Sequence, residues 1–461
     1  MTIALKSSLN SARHAAKNPA FRSLAWVTAS YGGLQIIRLV TNVILAHLLA
    51  PAVFGIMLIV NTVRTGVELL SDIGVGQNIV ASQDGEDPRF LATAWSVQIV
   101  RGTVIGIVLA LASTLIGRVY DAPIMAQIVP IAGLMVAISG FHSTGRFVLQ
   151  RRQNLTRLSV FELTTGFIAM LIQIAFSYIY PNVWSLIYGA LACTTMTVVV
   201  SFYMTPSSGL RLGWDRAHLN SILHFGKWIF LSSVIYFVAG NLDRLYLGGE
   251  IGFRLLGVYG IARALSELFS SLFNRVGNLV VFPLIAASGH DLPTLRQRLG
   301  AWRLPLLVLT AIALGGFVSL SDWIVSLLYD SRYYQAGQIL PILSVGVWFT
   351  VIATLGDGVL LGLGRPQYGT AANAAKLAWL VITMPLFGAY FGFPGLLAAV
   401  AAADIIRCIV LGLGQAHMRM LYLWQDLVST AVFVGSIIIW RTLFSFLTLT
   451  GSFAELWKLF I

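Results

Sequence analysis

Charge is scarce in this 461-residue chain: Asp, Glu, Lys and Arg make up 10% of it, against 57% hydrophobic residues. That balance excludes an ordinary soluble globular domain. Only two cysteines are present, Cys193 and Cys408, and both fall inside apolar stretches, where they read as packing residues and not as a disulfide. No Gly-rich Walker loop occurs, which excludes a P-loop ATP pump. Metal-binding spacings of the His-Glu-x-x-His or paired-cysteine kind are missing and the seven histidines are scattered, so no metal and no cofactor is expected. Acids number 18 and bases 30, for a net charge of +12. An excess of that size can mark a nucleic-acid binder. Here the bases gather in links between apolar runs, so they speak of membrane topology, and nucleic acid is not expected as a partner.

What the chain does have is apolar length. Thirteen stretches, near 23–46, 52–73, 90–116, 124–145, 157–179, 183–204, 223–248, 256–286, 302–328, 338–363, 370–391, 394–415 and 424–448, can each cross a bilayer. About 20 apolar residues span the roughly 30 Å hydrocarbon layer. They predict an all-α polytopic protein embedded in a lipid bilayer. The first 22 residues carry Lys6, Arg13, Lys17 and Arg22 and no acid, and the apolar segment after them is too long for a signal-peptide core. We read 1–22 as a cytoplasmic basic tail ahead of an uncleaved span. With the N-terminus inside, the inner tail and loops hold 18 Lys and Arg, Arg146, Arg151, Arg303, Lys376 and Arg419 among them. The outer loops hold three: Arg118, Arg254 and Arg332. That asymmetry fixes the expected orientation. Aromatic, nearly uncharged turns at 178–184 and 390–394 suit the outer headgroup level. Residues 452–461 are too short to span and suit an interfacial turn. Thirteen and fourteen spans both remain open.

Sliding the chain on itself by 202 residues superimposes two stretches: Trp26 falls on Trp228, Leu45 on Leu247 and Gly55 on Gly257. The offset covers six spans, so both copies face the same way. Two six-helix bundles follow, 23–204 and 223–415, related by an axis along the membrane normal. A cytoplasmic linker, 205–222, joins them, and 424–461 adds one or two C-terminal helices. Alternating access by rocking one bundle against the other follows naturally from such a repeat.

Ionisable residues also lie inside the spans. A charge at the bilayer centre costs roughly 2.5–3.5 kcal/mol on insertion scales, so these groups must face one another or a cavity. Arg64 and Glu68 stand at i,i+4 in the second span, and Arg263 and Glu267 repeat that spacing in the eighth, one turn out of repeat register. Each pair reads either as an intrahelical ion pair or as part of a central cavity between the bundles. Arg38, Arg101 and Arg275 have no acid at i±3 or i±4. An arginine excess in a low-dielectric lumen calls for an anion, and the guanidinium fork suits phosphate. Asp72, Glu162 and Asp357 have no base at i±3 or i±4, which makes them candidates for coupling transport to an ion gradient. Asp357 sits in Gly356-Asp357-Gly358, where a flexible or broken helix would present backbone to a cavity. The Gly102–Gly106 and Gly358–Gly362 spacings permit close helix packing.

The segments Asn42-Val43-Ile44-Leu45-Ala46-His47-Leu48-Leu49-Ala50-Pro51-Ala52-Val53-Phe54-Gly55, Asn241-Leu242-Asp243-Arg244, Ser270-Ser271-Leu272-Phe273-Asn274-Arg275-Val276 and Gly364-Arg365-Pro366 resemble, in order and spacing, the polysaccharide flippases of the multidrug/oligosaccharidyl-lipid/polysaccharide superfamily. The resemblance covers nearly the whole chain. It implies a non-enzymatic flippase of a bacterial inner membrane, moving an undecaprenyl-pyrophosphate-linked oligosaccharide for exopolysaccharide, capsule or O-antigen synthesis. A polysaccharide polymerase and a chain-length protein are the partners it implies. A multidrug exporter of the same superfamily and a flippase of the peptidoglycan lipid precursor are the alternatives. A drug exporter of cations calls for an acidic lumen, against the arginine excess. A reporter fused within 146–157 is expected to read as cytoplasmic and one within 179–183 as periplasmic; the opposite readout from the Arg151-Arg152 loop overturns the orientation.

Overall fold

The computed structural model describes residues 19–71, 74–205, 211–276 and 292–449. Asp72, the tail before residue 19 and the 452–461 segment lie outside the described residues, as does the side chain of Arg275. The described residues form helices and no strand. Hydrocarbon offers backbone groups no partners, so each spanning segment satisfies its own.

The helices are α1 (Pro19–Leu48), α2 (Pro51–Leu70), α3 (Val75–Ala81), α4 (Pro88–Val119), α5 (Pro123–Ser139), α6 (Gly145–Arg151), α7 (Leu155–Ile179), α8 (Val183–Met204), α9 (Arg216–Glu250), α10 (Phe253–Val276), α11 (Leu292–Ser319), α12 (Ser321–Leu328), α13 (Gln335–Gly362), α14 (Gln367–His417) and α15 (Leu423–Leu449). Local chemistry sets their ends. Proline opens α2, α4 and α5, where its missing N–H costs nothing. The Asn182 side chain accepts from the amides of Trp184 (2.9 Å) and Ser185 (3.3 Å) to start α8. Gly364, at φ +72°, closes α13, and the Arg365 amide reaches back to the Leu360 carbonyl at 2.9 Å. With 51 residues, α14 is far too long for one crossing; Gly392 breaks it at φ +60°, in the aromatic turn expected between two spans.

Among the described residues, nine helices are long and apolar enough to cross a membrane, with α14 holding two crossings. The chain is a multi-pass membrane protein. Three expectations need correction. The fourth span was expected to reach 145, but α5 stops at Ser139 because Gln98 of α4 takes the carbonyls of Gly140 (2.9 Å) and His142 (3.1 Å). The residues beyond form the separate helix α6. The ninth span, expected to run unbroken through 328, divides at Leu320 into α11 and α12. Lys376, counted among inner-loop bases, lies within α14.

The repeat register holds at the first hairpin of each half. The ends of α1 (Leu48) and α9 (Glu250), and the starts of α2 (Pro51) and α10 (Phe253), are each 202 residues apart. The chain divides into two compact units, Met1–Val234 and Ile235–Ile461. The division falls inside α9, past the expected 205–222 linker, because the linker docks on α4: the Gly213 and Asp215 amides donate to Ser96 Oγ (3.0 Å) and Thr93 Oγ1 (3.1 Å).

Unit 1 places one core among α1, α2, α5 and α8, with Leu45, Leu49, Val60, Ile128 and Ile187 buried. In unit 2 the core runs through α11, α13 and α15, where Trp348 stacks on Phe433 at 5.0 Å and donates to Thr430 Oγ1 at 3.0 Å. The contact of α4 with α5 depends on small residues. A Cβ on Gly106 would stand 2.5 Å from the Gly133 carbonyl oxygen, and one on Gly102 3.0 Å from Gly140 Cα. Gly106→Val is therefore expected to cost about 1–3 kcal/mol, read as a lowered melting temperature in detergent. Gly435→Ala, which meets open space, is expected to hold or slightly raise it.

Candidate functional site

Each unit holds a polar cavity, and the two differ in how their charged residues are paired. The cavity of unit 1 measures about 870 Å³. Arg64 of α2, Arg101 of α4 and Arg146 of α6 line it, and Glu68 is the one carboxylate among its described lining residues. Gly76 lets the Phe147 ring lie against α3, since a Cβ there would sit 2.2 Å from that ring. The Arg146 guanidinium stands 4.5 Å over the same ring. Arg151 anchors α6 by donating to the carbonyls of Ile79 and Val80, both at 3.1 Å, and of Ser82, so its charge meets the C-terminus of α3.

Arg64 and Glu68 do not form an ion pair among the described residues. The Arg64 Nη1 contacts Met135 Sδ at 4.0 Å, and its buried Nε has no hydrogen-bond partner there. His142, in the link between α5 and α6, also lines this cavity. Burial, with the Arg146 guanidinium adding to it, pushes its pKa down to about 4. The imidazole therefore stays neutral at physiological pH and adds no charge to the cavity.

The cavity of unit 2, about 330 Å³, is lined by Arg244, Arg263, Lys376 and Arg407 with Glu267 and Asp404, and Asp243 and Asp357 pair with these bases from outside the lining. Arg263 of α10 is 8% exposed and holds Glu267 at 2.9 Å and Asp243 at 3.7 Å. Arg244 shares Glu267 at 2.6 Å, and the Tyr259 hydroxyl donates to Asp243. Lys376 pairs with Asp404 at 2.5 Å, and Arg407 with Asp357 at 3.2 Å. Four bases thus face four acids. Double neutralisation makes Arg263 a framework group, unlike Arg64, although both line a cavity.

The other expected residues are placed as follows. Arg38 is exposed on α1 and Glu162 on α7; neither lines the two cavities among the described residues. Asp357 lacks a base along its own helix, but α14 supplies Arg407, which also donates to Asn373 at 3.1 Å. The helix runs unbroken through Gly356-Asp357-Gly358; Gly356 makes room for Gln415, whose Nε2 would lie 2.1 Å from an added Cβ. Sequence reasoning missed Arg146 and His142 as lining residues, having left both at an inner end. It also missed Lys376 as the partner of Asp404, because a 28-residue separation carries no helical periodicity.

Residues 44–352 match the family model described as polysaccharide biosynthesis protein. The chain belongs to that family. The teichuronic acid biosynthesis protein TuaB of Bacillus subtilis (strain 168) is 22% identical over 79% of this chain and 75% of its own length. The lipopolysaccharide biosynthesis protein WzxC of Escherichia coli (strain K12) is 20% identical over 81% and 76%. Among solved structures, the lipid II flippase MurJ superposes with a TM-score of 0.74 at 13% identity, covering 91% of this chain and 92% of that one. An inward-facing multidrug resistance transporter of the MATE family, of the MOP superfamily, superposes with a TM-score of 0.68 at 14% identity, covering 86% of this chain and 95% of that one. These likenesses establish the fold. The two structural neighbours are themselves named a flippase and a transporter.

The contrast between the two arginines is measurable. Arg263→Gln strands the buried Asp243 and leaves Glu267 with Arg244 alone, and it is expected to lower unfolding stability by about 3–5 kcal/mol, in the range for breaking a buried pair. Arg64→Gln, which breaks no ion pair, is expected to cost under about 1 kcal/mol. Thermal melts of both variants in detergent check the difference.

Proposed function

We propose that this protein is a flippase that carries a polyprenyl-pyrophosphate-linked oligosaccharide from the cytoplasmic to the periplasmic leaflet of a bacterial inner membrane, its N-terminus in the cytoplasm. The observation that carries this reading is the cavity of unit 1, where three arginines meet a single described carboxylate. A pyrophosphate brings the complementary charge and the oxygen geometry that guanidinium forks bind. Family membership and the names of the relatives, all tied to polysaccharide synthesis, supply the substrate class. The polyprenyl chain stays in lipid, and the anionic head is the part that needs a polar route. Arg64 and Arg101 are the primary anion contacts on this reading, with Arg146 added by the structure. Arg38 and Arg275 stand as further members of the cationic set, with Arg263 secondary because it already holds two acids, and Asp72, Glu162 and Asp357 stand as coupling candidates beside Glu68 and Glu267, each one turn from an arginine of its own helix. A polymerase and a chain-length protein would receive the product.

Alanine at Arg64, Arg101 or Arg146 is expected to cut surface polymer while leaving protein in the membrane, with lysine restoring export in part. Normal export by all three alanine variants rejects the anion site. Exchange within each i,i+4 pair separates the two halves. The swap of Arg64 and Glu68 should abolish export at normal expression, because it moves an anion onto the Arg64 position. The swap of Arg263 and Glu267 sets a new carboxylate against Asp243 and should lower expression as well. Full export by the Arg64/Glu68 exchange would leave that arginine without a role in binding.

A further inference from the structure

A second basic site lies in unit 2 and shares no lining residue with the 330 Å³ cavity of that unit. Two confluent hollows of about 720 and 670 Å³ open between the start of α11 and the link from α14 to α15. Arg296, Arg419, Tyr422 and Gln425 line both, and neither has a carboxylate among its described lining residues. The nearest acid on α15, Asp426, is already held by Arg303 at 2.5 Å.

The site is built rather than incidental. Arg296 Nη2 donates to the Leu421 carbonyl at 3.2 Å, and the Tyr422 hydroxyl returns a bond to the Arg296 carbonyl at 2.9 Å. The Tyr422 ring lies beneath Arg296 at 5.9 Å and Arg303 at 5.1 Å. Gln425 Nε2 ties α15 to the Gly300 carbonyl at 3.0 Å. Arg419 occupies φ +58° at the end of α14, and its guanidinium makes no hydrogen bond or ion pair among the described residues. Beside these bases, Leu423 and Trp424 are 57% and 75% exposed at the start of a spanning helix. Tryptophan favours the headgroup level of a bilayer, with apolar surface below it for acyl chains.

We propose that Arg296 and Arg419 form a binding site for the phosphate headgroup of an anionic membrane phospholipid. Guanidinium groups with no local acid select net negative charge, and the flanking Leu423 and Trp424 select a lipid over a soluble anion. The site is separate from the cavity of unit 1 and uses none of its arginines.

The test takes the full chain in lipid-free detergent with phosphatidylglycerol, phosphatidylethanolamine or inorganic phosphate, read by native mass spectrometry and by melting temperature. Phosphatidylglycerol is expected to be retained and to raise the melting temperature, with phosphatidylethanolamine retained several-fold less. Arg419→Gln should cut retention of phosphatidylglycerol about fivefold, the effect of one juxtamembrane base. Glutamine already adopts φ +52° at position 153 of this chain, so the backbone at 419 tolerates it. Adding Arg296→Gln should cut retention further, and Arg419→Gln should melt like the parent without lipid. Equal retention of both lipids, or unchanged retention by Arg419→Gln, overturns the site. Stabilisation by inorganic phosphate equal to that by phosphatidylglycerol overturns the lipid assignment.

Discussion

A charged group in hydrocarbon costs several kcal/mol, and nearly every feature of this structure answers to that penalty. Unit 2 meets it by compensation: Asp243, Glu267, Asp357 and Asp404 neutralise Arg244, Arg263, Arg407 and Lys376 in and around one small cavity. Unit 1 meets it by giving the charge a space. Arg64, Arg101 and Arg146 line a cavity more than twice the volume, open to a polar ligand.

The two solutions respond differently to an incoming anion. A balanced network gains little from it, since each base already has a carboxylate and would have to surrender one. At Arg64, which has no ion pair to surrender among the described residues, an anion adds a charge-assisted interaction without breaking one. The parallel repeat makes this divergence easy. Equivalent hairpins keep their lengths and register, 202 residues apart, while the charged positions shift by one turn between halves. Fold duplication thus leaves the two halves free to arrange their charged residues differently.

Most of the architecture was legible from apolar length, because a spanning helix must be long and apolar whatever its neighbours are. The break at Gly392 and the α4–α5 glycine contact were legible for a similar reason: an aromatic Gly-Pro turn and a small-xxx-small spacing are local signals. The charged site was only half legible. Reading along one helix correctly found that Asp357 lacks a local base, but its partner Arg407 comes from α14, beyond the reach of any i±4 rule. The same limit hid Lys376 beneath the positive-inside count and left Arg146 in a loop. Removing Lys376 and the paired Arg303 from that count leaves sixteen inner bases against three outer ones, so the topology argument does not rest on them.

The sign of the charge in unit 1 also bears on the choice between substrates within one fold. MurJ and the multidrug transporter share this architecture at 13% and 14% identity, so architecture alone does not separate a lipid-linked anion from an organic cation. Side chains do. An exporter of cations needs carboxylates to offset the charge it takes out of water, and three arginines around one described glutamate would repel such a cargo. His142 does not alter the balance, since burial keeps it neutral until the pH approaches 4. Below its ordinary value of 6.5, the unfolded chain would take up this proton while the folded one resists, so His142 contributes to losing stability as the pH falls from about 6.5 towards about 4 and has no such effect above that window. Across the neutral range the cavity therefore keeps one sign, and that sign suits a phosphate.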